Sequence, residues 1–256
     1  MLLDGKKGIV LGVANKRSIA WGIAQATARE GARLALTYQG ERLEENVREL
    51  AATLKDPVVL PCDVTRDEDL DTVFETVGKE FGGLDILIHA VAFAAREDLE
   101  GRFTDTKRAN FAMALDISAY SLTAMVQRAE PLMEKQGGGS VVTMTYLGGE
   151  RAVQNYNVMG VAKAALDASM RYLAMDLGVK NIRVNAISAG PIRTLAARSI
   201  SGFTVMEEHY EKRAPMRRNV DANEVGQTAL FLCSPMSSGI TGEIIHVDAG
   251  YHSIGF

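Results

Sequence analysis

The sequence predicts an α/β fold, a doubly wound seven-stranded parallel sheet with helices on both faces, in one domain spanning residues 1–256. Three observations lead there. Short apolar runs alternate along the whole chain with longer segments of helical periodicity, the pattern of successive β-α-β units. The run LDILIHAVAF is almost wholly apolar, as a central parallel strand covered on both sides must be. A glycine turn separates the first apolar run from the first helical segment, the opening of a Rossmann-like unit. A chain of 256 residues that is 47% hydrophobic supplies a large core for such a fold.

Residues Lys7 to Leu11 form the first strand, Gly12 follows, and helical periodicity runs from Ser18 to Glu30. The loop GVANKRSIAWG lacks G-x-G-x-x-G, so the usual dinucleotide fingerprint is stretched and partly missing. Gly12 would still let the backbone approach a pyrophosphate, and the amides of Ser18 and Ile19 at the helix start would bind its oxygens. Ser18 serves equally well as a plain N-cap. The run ARLALTY is the second strand, and its end is where NAD and NADP are told apart. Gln39 there offers an amide to both ribose hydroxyls and Glu41 opposes a phosphate, which favours NADH, although Arg42 adjoins them.

After the charged helix ERLEENVRELAATLK, the strand PVVLPCDV ends at Asp63 and Val64, a position suited to adenine; Asp63 would also make an ordinary turn with Thr65 to Asp67. A helix over Asp67 to Phe81 leads to the central strand, whose small terminal residues Ala90, Val91 and Ala92 leave room for a nicotinamide ribose. The segment from Thr104 to Lys135 is expected to be mainly helical. A glycine-led strand, GGGSVVTMT, comes next, then a long buried helix carrying Tyr156 and Lys163. The segment NIRVNAISAGPIRT is a sixth strand and a Gly-Pro turn, and residues Ile192, Arg193, Thr194, Leu195 and Ala196 would offer backbone groups to a nicotinamide carboxamide. Residues 193–218 read as a substrate lid with apolar Ile200, Phe203 and Met206, or as a surface helix packing those side chains into the core. The helix DANEVGQTALFLCS and the strand GEIIHVDAG close the chain.

Composition excludes several other classes. The formal charge of −4, with both signs interspersed, leaves no nucleic-acid footprint. Cys62 and Cys233 are far apart and have no His or Cys neighbours, so neither a disulfide framework nor a zinc site is expected. The opening apolar run is too short for a signal peptide and no later run reaches a membrane span, so a cytoplasmic location is expected.

Tyr156 and Lys163 are seven residues apart, which puts them on one face of a shared helix, roughly 10 Å apart along its axis. An ammonium nearby favours a phenolate and so makes the phenol a better proton donor, a credible acid pair. An anchored ring and a snorkelling lysine would give the same pattern.

On the Gly12–Ser18–Ile19 loop, Asp63-Val64, Tyr146, the Tyr156-x6-Lys163 spacing, NAISAGPIRTLA and GEIIHVDAG, the chain resembles the short-chain dehydrogenase/reductase superfamily, and more closely its bacterial enoyl-acyl-carrier-protein reductases. The resemblance covers essentially the whole chain. In ordinary superfamily members the tyrosine precedes the lysine by four and a serine lies thirteen residues before that tyrosine; here those places hold Met159 and Tyr146. That departure counts against an ordinary ketone reductase. Three extra residues displace the phenol by about 4.5 Å, and conjugate reduction needs such displacement: hydride adds to C3 while charge gathers on the thioester oxygen.

The resemblance implies Tyr156 at that oxygen, Lys163 on the nicotinamide ribose, and Tyr146 lining the acyl pocket or assisting the proton step. It places Phe93, Ala94 and Met159 with Phe203 and Met206 around the substrate. NADH as cofactor, acyl carrier protein as substrate bearer and a homotetramer are implied as well. The acidic carrier would meet Lys212, Arg213, Arg217 and Arg218, which also read as a solvated basic surface. A different reductase of the same branch and a non-catalytic dinucleotide sensor are the competing readings.

Overall fold

The computed structural model describes residues 1–194, 197 and 202–255. Among the described residues one sheet contains seven strands in the order β3-β2-β1-β4-β5-β6-β7, every neighbouring pair parallel. The strands are β1 Lys7–Leu11, β2 Arg33–Tyr38, β3 Val58–Pro61, β4 Ile86–His89, β5 Gly139–Thr145, β6 Ile182–Ala189 and β7 Ile244–Val247. Between them run α1 Ile19–Arg29, α2 Glu41–Ala51, α3 Asp67–Phe81, α4 Arg108–Leu115, α5 Ser121–Glu134, α6 Asn157–Leu177, α7 Phe203–Arg213 and α8 Ala222–Cys233.

Period-two alternation divides the core into two layers. Ile9, Leu11, Leu87, Val141 and Val184 face α3, α5 and α6, while Val10, Ile86, Ile88, Val142 and Ile187 face α1, α2 and α8. Strand order reverses at the β1–β4 pair, where Leu11 stands opposite His89. Side chains at the C-terminal ends of these strands therefore border the crevice in which open α/β sheets take ligands.

The strands end earlier than the apolar runs. β4 stops at His89, because beyond it the chain leaves the sheet to form the wall of that crevice rather than pairing further. The helix predicted to carry both Tyr156 and Lys163 begins at Asn157, so Tyr156 is its N-cap residue and not part of its face. The cause is local: Asn155 and Asn157 both take positive φ, 61° and 38°, which asparagine tolerates, so a turn precedes the helix. Among the described residues no helix is long and apolar enough to cross a membrane.

Candidate active site

A cavity of about 520 Å³ occupies the crevice. At one end it is lined by Gln39, Cys62 and Val64, in the middle by Gly12, Ser18, Ile19 and Val91, and at the other end by Tyr156, Met159, Phe203 and Met206. Gly12 has φ +98°, and a Cβ there would stand 2.1 Å from the Ala90 carbonyl oxygen, so only glycine lets β1 turn into the cavity at this point. Ser18 is the N-cap of α1 by position, but its hydroxyl donates back to the Asn15 carbonyl at 2.7 Å and makes no cap bond. The Ile19 and Ala20 amides are thereby left for an anion, whereas the Ser18 amide, expected to join them, donates to the Asn15 carbonyl at 3.0 Å. Backbone without a side chain, free helix amides and an amide side chain at the far end suit a pyrophosphate flanked by two nucleosides.

Lys163 is buried on α6 and its Nζ donates to the Met144 carbonyl at 2.7 Å. Burial pulls its pKa down to about 8, against which Asp167 acts. The phenol of Tyr156 behaves oppositely to the sequence expectation. Burial, then Tyr146 and Asp167, raise its pKa above the ordinary tyrosine range, and Lys163 contributes no resolved lowering. A neutral phenol is thus a hydrogen-bond donor here rather than an acid primed to ionise. Among the described residues its hydroxyl has no hydrogen-bond partner, and the residue lines the cavity.

The ring is fixed by its surroundings. Tyr146 meets it edge-on at 4.8 Å and 69°, and Gly148 lies so close that a Cβ there would stand 2.4 Å from its Cδ1. Tyr146 is held in turn by α7: the Tyr210 hydroxyl donates to its hydroxyl at 3.2 Å, and that hydroxyl donates to Met206 Sδ at 3.3 Å. Tyr210 stacks on Tyr251 at 3.7 Å. On the opposite wall Ser118, in the π-helical turn Asp116–Tyr120, accepts from Phe93 N at 2.9 Å and donates to Phe93 O at 3.1 Å, which fixes the loop after β4.

The structure brings most of the predicted residues together. Gly12, Ser18, Ile19, Gln39, Val64, Val91, Ile192, Thr194 and Lys163 line the cavity, as do Phe93, Ala94, Tyr146, Tyr156, Met159, Phe203 and Met206. Asp63 and Arg193 do not. The Asp63 carboxylate accepts from Thr65 N at 3.0 Å and Thr65 Oγ1 at 2.7 Å, an Asx turn, and from Gln39 Nε2 at 3.2 Å. The Arg193 guanidinium instead pairs with Glu207 at 2.8 Å, tying the turn after β6 to α7. Leu195, Ala196 and Ile200 lie outside the described residues.

Sequence reasoning missed Tyr210, Ser118, His89 and Asp167. Two of these carried a readable signal: His89 is the one polar residue of an apolar central strand, and Asp167 falls one turn after Lys163 on a helix face otherwise apolar. Tyr210 and Ser118 carried none, since their partners are 64 and 25 residues away.

A doubly wound sheet with a tyrosine–lysine pair at its crevice defines a dinucleotide-dependent reductase of the short-chain type. A family model described as Enoyl-(Acyl carrier protein) reductase matches residues 12–252. The chain is 57% identical over 256 residues to the NADH-specified enoyl-acyl-carrier-protein reductase FabI of Bacillus cereus, with 99% of each chain covered. It is 52% identical over 254 residues to the NADPH-specified FabI of Staphylococcus aureus, with 98% of each covered. The crystal structure of the Bacillus cereus enoyl-acyl carrier protein reductase with NADP+ and indole naphthyridinone superposes with a TM-score of 0.97 at 56% identity, covering 100% of this chain and 99% of that one. The chain belongs to the enoyl-acyl-carrier-protein reductase family, within the short-chain dehydrogenase/reductase superfamily.

Proposed function

We propose that this chain reduces the trans-2 double bond of enoyl thioesters carried by acyl carrier protein, with NADH, as the last reductive step of a fatty acid elongation cycle. The observation that carries the reading is the Tyr156 hydroxyl, neutral and free of protein partners among the described residues, in a cavity that Met159, Phe203 and Met206 also line. A bound reduced nicotinamide supplies the hydride that C3 of the substrate receives. The Tyr156 hydroxyl donates a hydrogen bond to the thioester oxygen, on which negative charge grows, and keeps its own proton because burial opposes the phenolate. A proton taken from water at C2 completes the reduction. Lys163 holds the ribose hydroxyls as an ammonium, and Tyr146 fixes the Tyr156 ring from the side while anchoring α7.

The nucleotide preference rests on charge. Gln39 is bonded to Asp63, so a carboxylate stands beside the residue that would take the ribose, and Glu41 opens the helix that follows. Phe203 and Met206 on α7 support its role as the inner face of a lid over residues 193–218, within the single domain. For the acidic carrier, Lys212 and Arg218 are already engaged by Glu208 and Glu224 and the Arg217 guanidinium donates to the Lys212 carbonyl, so Arg213 is the stronger candidate among the described residues. A cytoplasmic homotetramer completes the proposal, supported by family membership.

The test is a kinetic comparison of NADH with NADPH on crotonyl thioesters and on simple ketones. Turnover of the thioester, with NADH preferred by roughly tenfold or more, is expected. Ketone reduction without thioester reduction would favour another reductase of the branch, and NADH binding without any turnover would favour a sensor.

A further inference from the structure

The buried face of α6 carries two charges, and only one has a role so far. Lys163 and Asp167 stand one turn apart, at i and i+4, and are 5% and 4% exposed. An ammonium so placed is costly unless something compensates it. Its hydrogen-bond acceptor, the Met144 carbonyl of β5, is neutral. From β4 comes His89, whose ring bonds Thr143 Oγ1 and Ser121 Oγ at 2.8 Å each and which burial holds neutral, so it brings no negative charge. Among the described residues Asp167 is the anion that acts on Lys163.

The setting of Asp167 suits that task. Gly149 packs over its carboxylate so closely that an added Cβ would stand 2.9 Å from Oδ2. Oδ1 closes no well-formed hydrogen bond, and neither does Thr145 Oγ1 on β5. The carboxylate therefore caps no helix and closes no turn. Burial raises its pKa, the Thr145 hydroxyl, Lys163 and Arg171 lower it, and Glu150 beyond Gly149 raises it again.

We propose that Asp167 is a positioning residue for the reaction: it is the counter-charge that keeps buried Lys163 an ammonium, and so able to hold the ribose hydroxyls, at neutral and mildly alkaline pH. This rests on the reading of the site given above. The Cβ atoms of an i,i+4 pair are about 5–6 Å apart, and loss of an opposite charge at about that range lowers a lysine pKa by about one unit or more. Starting from about 8, a one-unit fall takes the protonated fraction at pH 8 from about a half to about a tenth.

The test titrates lysine ¹³Cε resonances in the nucleotide-free protein. Asp167→Asn is expected to move the Lys163 midpoint down by one unit or more, and Asp167→Glu to restore it largely. The basic limb of the pH dependence of NADH binding should move with it. If Asp167→Asn does not fold, Lys163→Met serves, because the coupling is reciprocal: the Asp167 ¹³Cγ midpoint must then rise. An unmoved midpoint in either variant, or an NADH-binding profile that does not follow the Lys163 midpoint, overturns the inference. Failure of the parent protein to reduce enoyl thioesters would sink the proposed activity alone, since the lysine titration is read without substrate or nucleotide.

Discussion

Replacing Tyr156 with phenylalanine separates the chemistry of the site from its architecture. The ring's contacts survive the change: Tyr146 still meets it edge-on at 4.8 Å, and Gly148 still backs it. The hydroxyl has no hydrogen-bond partner among the described residues, so its removal strands no buried donor or acceptor, and the cost to stability should stay within about 1 kcal/mol. Turnover should respond very differently. Removing one preorganised donor to a developing oxyanion costs about 10²- to 10³-fold in rate, or about 2.7–4 kcal/mol. The assay is NADH consumption with a crotonyl thioester, followed as kcat and KM separately, beside a thermal melt and NADH titration of the same variant. The expected result is a fall in kcat of about 10²-fold with near-normal NADH affinity and melting temperature. Turnover within about threefold of the parent would refute the oxyanion role; a raised KM at unchanged kcat would assign the hydroxyl to ground-state binding instead.

Three further outcomes follow from the same geometry. Because burial sets Lys163 at about 8, NADH binding by the free enzyme should weaken as pH rises through about 8, whereas Tyr156, displaced upward, stays neutral across that range; binding that is flat from pH 7 to 9 would contradict this. His89 is fully buried and held at about 3, below its unfolded value of about 6.5. Between those values the unfolded chain binds one proton more than the folded one, so this residue should remove about 1.4 kcal/mol of stability per pH unit as pH falls, and an NMR midpoint for His89 above pH 5 would count against it. Gly22→Ala gains about 1 kcal/mol of helix propensity, but its Cβ would stand 2.4 Å from the Ala222 carbonyl oxygen of α8. Overpacking against backbone costs about 1–3 kcal/mol, so chemical denaturation should show a net loss, and equal or greater stability would show that α1 and α8 part freely.

What the sequence disclosed and what it hid divide along a physical line. Periodicity is local, so the βα alternation, the helix Asp67–Phe81 and the strand Lys7–Leu11 were legible to the residue. The placement of Gly12, Ser18 and Val64 at strand and helix ends that line the cavity was legible for the same reason. Helix spacing alone carries α6 one residue too far: the two asparagines flanking Tyr156 signal a turn, and the phenol enters the site from that turn rather than from a helical face. Electrostatics was less legible still. The sign of the Tyr156 shift depends on how deeply the ring is buried, a property of Gly148, Tyr146 and Asp167 arriving from other turns of the chain, and desolvation there outweighs any pull from Lys163.

Tyr146, at the position where ordinary superfamily members carry a serine, has a reach that a serine lacks. A serine hydroxyl could not reach a helix on the far side of the cavity. The Tyr146 phenol does, taking a hydrogen bond from Tyr210 and giving one to Met206, both on α7. Its ring edge meanwhile pins Tyr156. One side chain thereby couples the placement of the Tyr156 hydroxyl, the proposed oxyanion donor, to the docking of α7, whose base is secured by the Tyr210–Tyr251 stack and by the Arg193–Glu207 pair. An enoyl thioester needs that coupling more than a small ketone does. In the proposed reaction its apolar chain lies against Phe203 and Met206 while its carbonyl oxygen, three bonds from the reduced carbon, meets the Tyr156 hydroxyl.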